Sequence, residues 1–415
     1  MQKKKILMLS DHALSTSGVG VQSRHLINGL LHKGEWTIRQ FGAAIKHNNY
    51  DVVQISEDFI IKPIDGFGNR DLIRQTLAAE KPDLLLIFTD PRFFIWLWEI
   101  EDEIHQVCPI AYWHVWDNEP YPDFNTPYYE ATDLINCHSH ATYQMLQKRF
   151  PDKTNFIPHA LPEGVFYPLD ENEIEQAKIN ALGPDRKDDF VVFWMNRNAR
   201  RKRPGDLLMA WKQFLDDNTV DGVRPVATLL LHTDPQDGEG PNLFAMCDNL
   251  EISETVVFSR ERLDFEKINI LHNISDCCIN ISYAEGFGLA TLEAMQTGTP
   301  IIALKTGGLT RQVVDHRDGS ENGVALDVEL KTLVGSQSVP YIYEDYCSWP
   351  QIASALTKMY TLTPKEKKKL SEKVRAYALE EFSYQKTIDM WNDSLNDLLK
   401  NWKSKYQRIV CEEIK

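Results

Sequence analysis

Asp276-Cys-Cys-Ile-Asn-Ile-Ser-Tyr-Ala-Glu285-Gly-Phe-Gly-Leu-Ala-Thr-Leu-Glu293-Ala-Met-Gln-Thr-Gly298-Thr-Pro-Ile-Ile-Ala-Leu304 decides the fold of this chain. Cys277 to Ile281 is a continuous apolar run, the pattern of a strand buried on both faces of a parallel sheet. Gly286 and Gly288 flank a tight turn. A helical stretch follows and stops at Gly298, and Pro300 to Leu304 is the next strand. Strand, loop, helix and strand in that order form one right-handed crossover unit.

The same alternation runs outward in both directions. Upstream, strands are expected at Ile6 to Leu9, Asp51 to Ile55, Asp83 to Phe88, Pro109 to Trp113, Leu134 to Cys137 and Asn155 to Ile157. Pro158, Pro162 and Pro168 then give a stiff, extended connection that reads as a linker. The pattern restarts with Phe190 to Met195, Val226 to Leu231 and Thr255 to Phe258. Thr363-Pro-Lys-Glu366 is a helix start with a capping box, and the remainder reads as helix with a break near Phe382-Ser383-Tyr384. Tyr341-Ile-Tyr-Glu-Asp-Tyr346 is read as loop packing. The expectation is an α/β chain of two doubly wound domains with a helical tail.

The chain has 415 residues, enough for two or three domains. Its 45 Lys and Arg against 60 Asp and Glu leave a net charge of -15, which opposes nucleic-acid binding through a general positive field. Seven unevenly spaced Cys do not make a disulfide framework. The apolar run after Met1 is too short for a signal peptide, and no stretch approaches a membrane span. A cytoplasmic protein is expected. Lys365 to Lys369 reads as a solvated helix face, with contact to a membrane surface as its alternative. Cys137-His-Ser-His140 lacks a second pair at ligand spacing, and Trp96, Trp98, Trp113 and Trp116 read as core first and acceptor platform second.

In open α/β sheets ligands bind beyond the carboxyl ends of strands, at helix N-termini. Three loops meet that rule. In the first, Gly286 and Gly288 let a ligand approach the backbone, and Glu285 and Glu293 suit a ligand rich in hydroxyls. The second, Arg197-Asn-Ala-Arg200-Arg-Lys202-Arg203-Pro204, is a basic loop at a strand end and a candidate diphosphate clamp. The third, Gly18-Val-Gly20-Val-Gln-Ser23, is two-thirds of a dinucleotide fingerprint, with Ser23 where the last Gly belongs.

Together these loops resemble the retaining glycosyltransferases of family 4, with the GT-B fold. The likeness rests on Glu285-Gly-Phe-Gly-Leu289, the Glu285/Glu293 pair, Gly298-Thr-Pro-Ile-Ile, Thr306-Gly-Gly308, Arg197 with Lys202, and Asp276. The Gly18/Gly20 loop, His114 and Ile157-Pro-His-Ala-Leu-Pro162 extend it. It is dense from 190 to 315 and thin before 160.

The resemblance implies two Rossmann-like domains facing across a cleft, with the C-terminal tail crossing back. Residues 1–165 plus a helix at about 388–415 would form the acceptor side, and 166–387 the nucleotide-sugar side. It implies a UDP-, GDP- or ADP-linked sugar as donor and a glycan, lipid or small molecule as acceptor. No cofactor and no metal is implied. Arg197 and Lys202 would neutralise the diphosphate, Glu293 would hold the ribose and Glu285 the sugar. The backbone at Gly286, Phe287, Gly288 and Leu289, with Gly18 and Gly20, would cradle phosphate and sugar. His114 would lie near the reacting carbon. The family usually has a carboxylate just after this His, whereas here Asp117 comes three residues later. Three other readings compete: a nucleotide-sugar-binding protein without catalysis, an NAD-dependent dehydrogenase built on the Ser15 to Gly20 loop, and a nucleic-acid-binding module resting on Arg197 to Arg203, which the net charge of -15 opposes.

Overall fold

The computed structural model describes residues 3–44 and 49–403, so the helix expected beyond 403 lies outside the described residues. The chain divides into two compact units. One holds the residues up to Trp116, Tyr121–Ala160 and the chain from Tyr384; the other holds Asp117–Pro120 and Leu161–Ser383.

The first unit is built on eight strands: β1 (Lys4–Asp11), β2 (Trp36–Ala43), β3 (Val53–Gln54), β4 (Phe59–Pro63), β5 (Leu84–Phe88), β6 (Ile110–His114), β7 (Leu134–Cys137) and β8 (Thr154–Phe156). Their order is β3-β4-β2-β1-β5-β6-β7-β8, and only the β3/β4 pair is antiparallel. The strand expected at Asp51 to Ile55 shrinks to a two-residue edge. β2 and β4 carry the sheet there instead. Arg39 and Gln40 interrupt the apolar run of β2, and Lys62 that of β4, so neither has the unbroken pattern of β5. The helix Tyr384–Asn401 belongs to this unit. Its Trp391 is fully buried against Trp113, ring centroids 4.9 Å apart. Its Ile388 fills the space beside Gly29 in the helix Gly18–His32, where an added Cβ would lie 2.3 Å from Ile388 Cδ1.

The second unit has six parallel strands: β9 (Phe190–Met195), β10 (Ala227–His232), β11 (Val256–Ser259), β12 (Cys277–Asn280), β13 (Ile301–Leu304) and β14 (Gly323–Leu326). The order β11-β10-β9-β12-β13-β14 runs outward both ways from the β9/β12 boundary. That boundary is the topological switch point, where loops diverge and leave a crevice. A separate antiparallel hairpin joins β15 (Leu330–Val334) to β16 (Ile342–Tyr346). The reading of Tyr341 to Tyr346 as loop is therefore corrected. Its residues pair with β15 from Val334 opposite Ile342 to Leu330 opposite Tyr346, and Glu344 points to a buried face. The helix Pro364–Glu381 opens with the capping box expected at Thr363 and Glu366. Among the described residues no helix is long and apolar enough to cross a membrane.

Candidate active site

In the second unit, the loops after β9 and β12 leave the sheet on either side of the switch point. The first is the basic loop, which ends at Arg203 with φ +55° and enters the helix Pro204–Asp217 through Pro204. The second runs Ile281 to Gly288 into the helix Leu289–Thr297. They are sewn together at Tyr283, whose N–H donates to Arg201 O at 3.1 Å.

Lys202 is 7% exposed and donates from Nζ to Glu285 Oε2. The same oxygen lies 3.4 Å from Asn280 Nδ2 and 3.4 Å from Ser282 Oγ. Burial alone would raise the Glu285 carboxyl, but the charges of Lys202 and Arg201 overcome it and hold the group below its ordinary value. Glu285 is therefore ionised at neutral pH.

Gly288 caps the helix with φ +91°. A Cβ there would lie 2.5 Å from Leu309 Cδ2 and 2.7 Å from Thr291 Oγ1, so glycine is required on both conformational and steric grounds. Gly308 donates its N–H to Glu285 O at 3.0 Å, and a Cβ on it would meet Gly286 O at 2.4 Å. Gln312, fully buried, donates to Phe287 O at 2.7 Å and Gly288 O at 3.1 Å, and accepts from Thr291 at 2.6 Å. These contacts occupy the carbonyls of Glu285, Phe287 and Gly288. Phe287 is buried edge-on against Phe382, and Leu289 begins the helix. Glu293 is buried one turn further on, 3.4 Å from His272 Nε2.

Arg197 is not part of this cluster. Its side chain, 64% exposed, makes a forked pair with Asp237 at 2.7 and 3.0 Å. Arg200 instead pairs with the buried Glu344 of β16, and Thr306 donates to Asp345 at 2.7 Å. The hairpin thus braces both the basic loop and the Thr306-Gly-Gly308 turn. Reading the sequence missed Arg201, Gln312, Glu344 and Asp345. Arg201 stood inside the basic run, but the others carry no local signal because their partners are distant in the chain.

In the first unit, Gly18 opens the helix Gly18–His32 after β1, and Ser17 caps it by accepting from Gly20 N at 3.0 Å. A Cβ on Gly20 would stand 2.1 Å from Ser15 Oγ. His114 ends β6, fully buried, with Nε2 3.1 Å from Tyr129 Oη. Burial, helped by the nearby His138, pushes its pKa down to about 3, so the imidazole is neutral.

Residues 175–331 match the family described as Glycosyl transferases group 1. A D-inositol 3-phosphate glycosyltransferase of Corynebacterium jeikeium (strain K411) is 30% identical over 256 residues, which is 57% of this chain and 58% of the relative. Matches of this chain span between 35% and 62% of the length of such curated relatives. Among solved structures, sucrose-phosphate synthase from Thermosynechococcus elongatus has a TM-score of 0.71 at 18% identity, covering 96% of this chain and 100% of that one. Anabaena Alr3699/HepE in complex with UDP-glucose has a TM-score of 0.68 at 18% identity, covering 95% and 100%. These two likenesses concern the fold.

Proposed function

We propose that this chain, whose residues 175–331 match the group 1 glycosyl transferases, moves a sugar from a nucleotide-sugar donor to an acceptor hydroxyl, with retention and without a metal ion. The observation that carries this is the buried Lys202–Glu285 pair at the switch point of the second unit. Taking two charges out of water is costly. A pair set at the crevice where α/β sheets take ligands, beside a glycine-capped helix start, has a chemical use there.

Lys202 and Arg197 supply positive charge to the departing diphosphate, the role a divalent ion fills in other transferases. Backbone N–H groups from Gly286 to Leu289 hold phosphate and sugar at the helix start, while the Phe287 and Gly288 carbonyls are turned to Gln312. Glu285 accepts from the sugar hydroxyls and Glu293 from the ribose. In the transfer, the bond from the anomeric carbon to the diphosphate oxygen breaks. The acceptor oxygen bonds to that carbon on the same face, and its proton passes to the leaving phosphate oxygen. His114, neutral, is a hydrogen-bonding group on the acceptor unit, where the exposed Gly18 leaves backbone accessible and the buried Gly20 packs close against Ser15. The Corynebacterium relative is named for a phosphorylated small polyol, which supports a small-molecule acceptor over a glycan or lipid.

A thermal-shift screen against UDP-, GDP- and ADP-sugars tests the reading, since a ligand of the native state alone raises its stability. The expected result is a saturable rise with one base, followed by release of that nucleoside diphosphate on adding acceptor. No shift with any of the three removes the proposal.

A further inference from the structure

Four arginines stand between 197 and 203. Three are already held by acids: Arg197 by Asp237 at 2.7 Å, Arg200 by Glu344 at 2.8 Å and Arg203 by Asp206 at 2.8 Å. Arg201 differs. Its nearest carboxylates, Glu285 and Asp117, lie 3.8 and 4.0 Å away, outside hydrogen-bond reach. Its one side-chain hydrogen bond among the described residues runs from Nη1 to Ala284 O at 3.3 Å. The side chain is 43% exposed, while its main chain is fixed through Tyr283 N to the glycine loop.

From this we infer that Arg201 is a donor-binding residue, which places its guanidinium on the diphosphate beside Lys202. Its forked donors match phosphate oxygens, most are unused, and they stand next to the pair that the donor must meet. Arg197 has to give up a forked carboxylate before it can serve, so Arg201 carries more of the anion affinity. The inference rests on the nucleotide-sugar reading and deepens it.

The test is calorimetric titration of wild type, Arg201→Ala, Arg201→Lys and Arg197→Ala with UDP, GDP and ADP, each against its nucleoside. For the diphosphate that wild type binds, Arg201→Ala should raise Kd at least tenfold and leave the nucleoside within twofold. A merely structural part for Arg201 would weaken both ligands alike. Arg201→Lys should recover part of the loss, and Arg197→Ala should cost less than Arg201→Ala. Diphosphate affinity within twofold of wild type in Arg201→Ala, or equal losses for diphosphate and nucleoside, overturns the assignment while the donor reading stands. A wild type that binds none of the three diphosphates overturns both.

Discussion

Lys202 Nζ and Glu285 Oε2 meet across 83 residues of sequence, and each is nearly lost to solvent. The contact ties the loop after β9 to the loop after β12. It also keeps a carboxylate charged in surroundings that would otherwise protonate it.

Replacing Lys202 by Ala should slow transfer by roughly 10²-fold or more, since it removes charge opposite the leaving diphosphate. It should also cost stability, about 3–5 kcal/mol, because Glu285 is left buried without its partner. Urea unfolding of Lys202→Met, Glu285→Gln and the double variant separates the two effects. The double variant should regain most of the stability and none of the activity.

Glu293→Ala should weaken nucleotide binding by about 1.5–3 kcal/mol, the worth of a hydrogen bond to a charged group. Free nucleoside diphosphate and intact donor should feel that loss equally. Glu285→Ala should leave the bare diphosphate's affinity nearly unchanged and lower turnover. Equal weakening of the bare diphosphate by both substitutions, in titration calorimetry, contradicts the division of sugar and ribose between them.

Transfer should continue in excess EDTA, with the basic loop providing the counter-charge. The check is initial rate before and after chelation. Full loss restored by Mg²⁺ or Mn²⁺ contradicts the metal-free reading.

The first unit should weaken as the medium becomes acidic. Burial lowers His114 to about 3 and His25 to about 4, and lowers His159 well below its ordinary value. A depressed folded-state pKa means the unfolded chain takes up protons that the folded one refuses. The stabilisation is complete above the unfolded value near 6.5 and is lost as pH falls toward 4 and 3. Each histidine contributes up to about 1.4 kcal/mol per pH unit in that window. Urea unfolding between pH 7 and pH 4.5 should show this slope, and His25→Phe should reduce it. A flat profile contradicts the burial of these rings.

The parallel cores were legible because their strands are unbroken apolar runs; β9 begins and ends where Phe190 to Met195 does. β2 and β4 were not, since Gln40 and Lys62 sit inside them, and Gln40 is there to serve the β1 loop by donating to Ser10 at 2.7 Å and Asp11 O at 2.9 Å. Glycines announced the site, because a backbone that needs positive φ or close approach leaves few alternatives. The acids that occupy the basic loop were hidden. Asp237 and Glu344 lie 40 and 144 residues from Arg197 and Arg200, and a pairing at that distance depends on topology alone.

The polypeptide passes between its two units after Trp116, Pro120, Ala160 and Ser383. Neither unit is therefore a contiguous stretch of coding sequence. Ending translation at Ser383 would spare every residue proposed to hold the donor, yet it would strip Asn392 from Trp36 Nε1 (2.8 Å) and Tyr384 from His25 O (2.7 Å), and bare the ring of Trp113. The damage would fall on the half of the protein that a ribosome finishes first. Exchange of the first unit with a relative's by recombination thus needs matched junctions at all four passages, with the last helix travelling alongside the amino-terminal half.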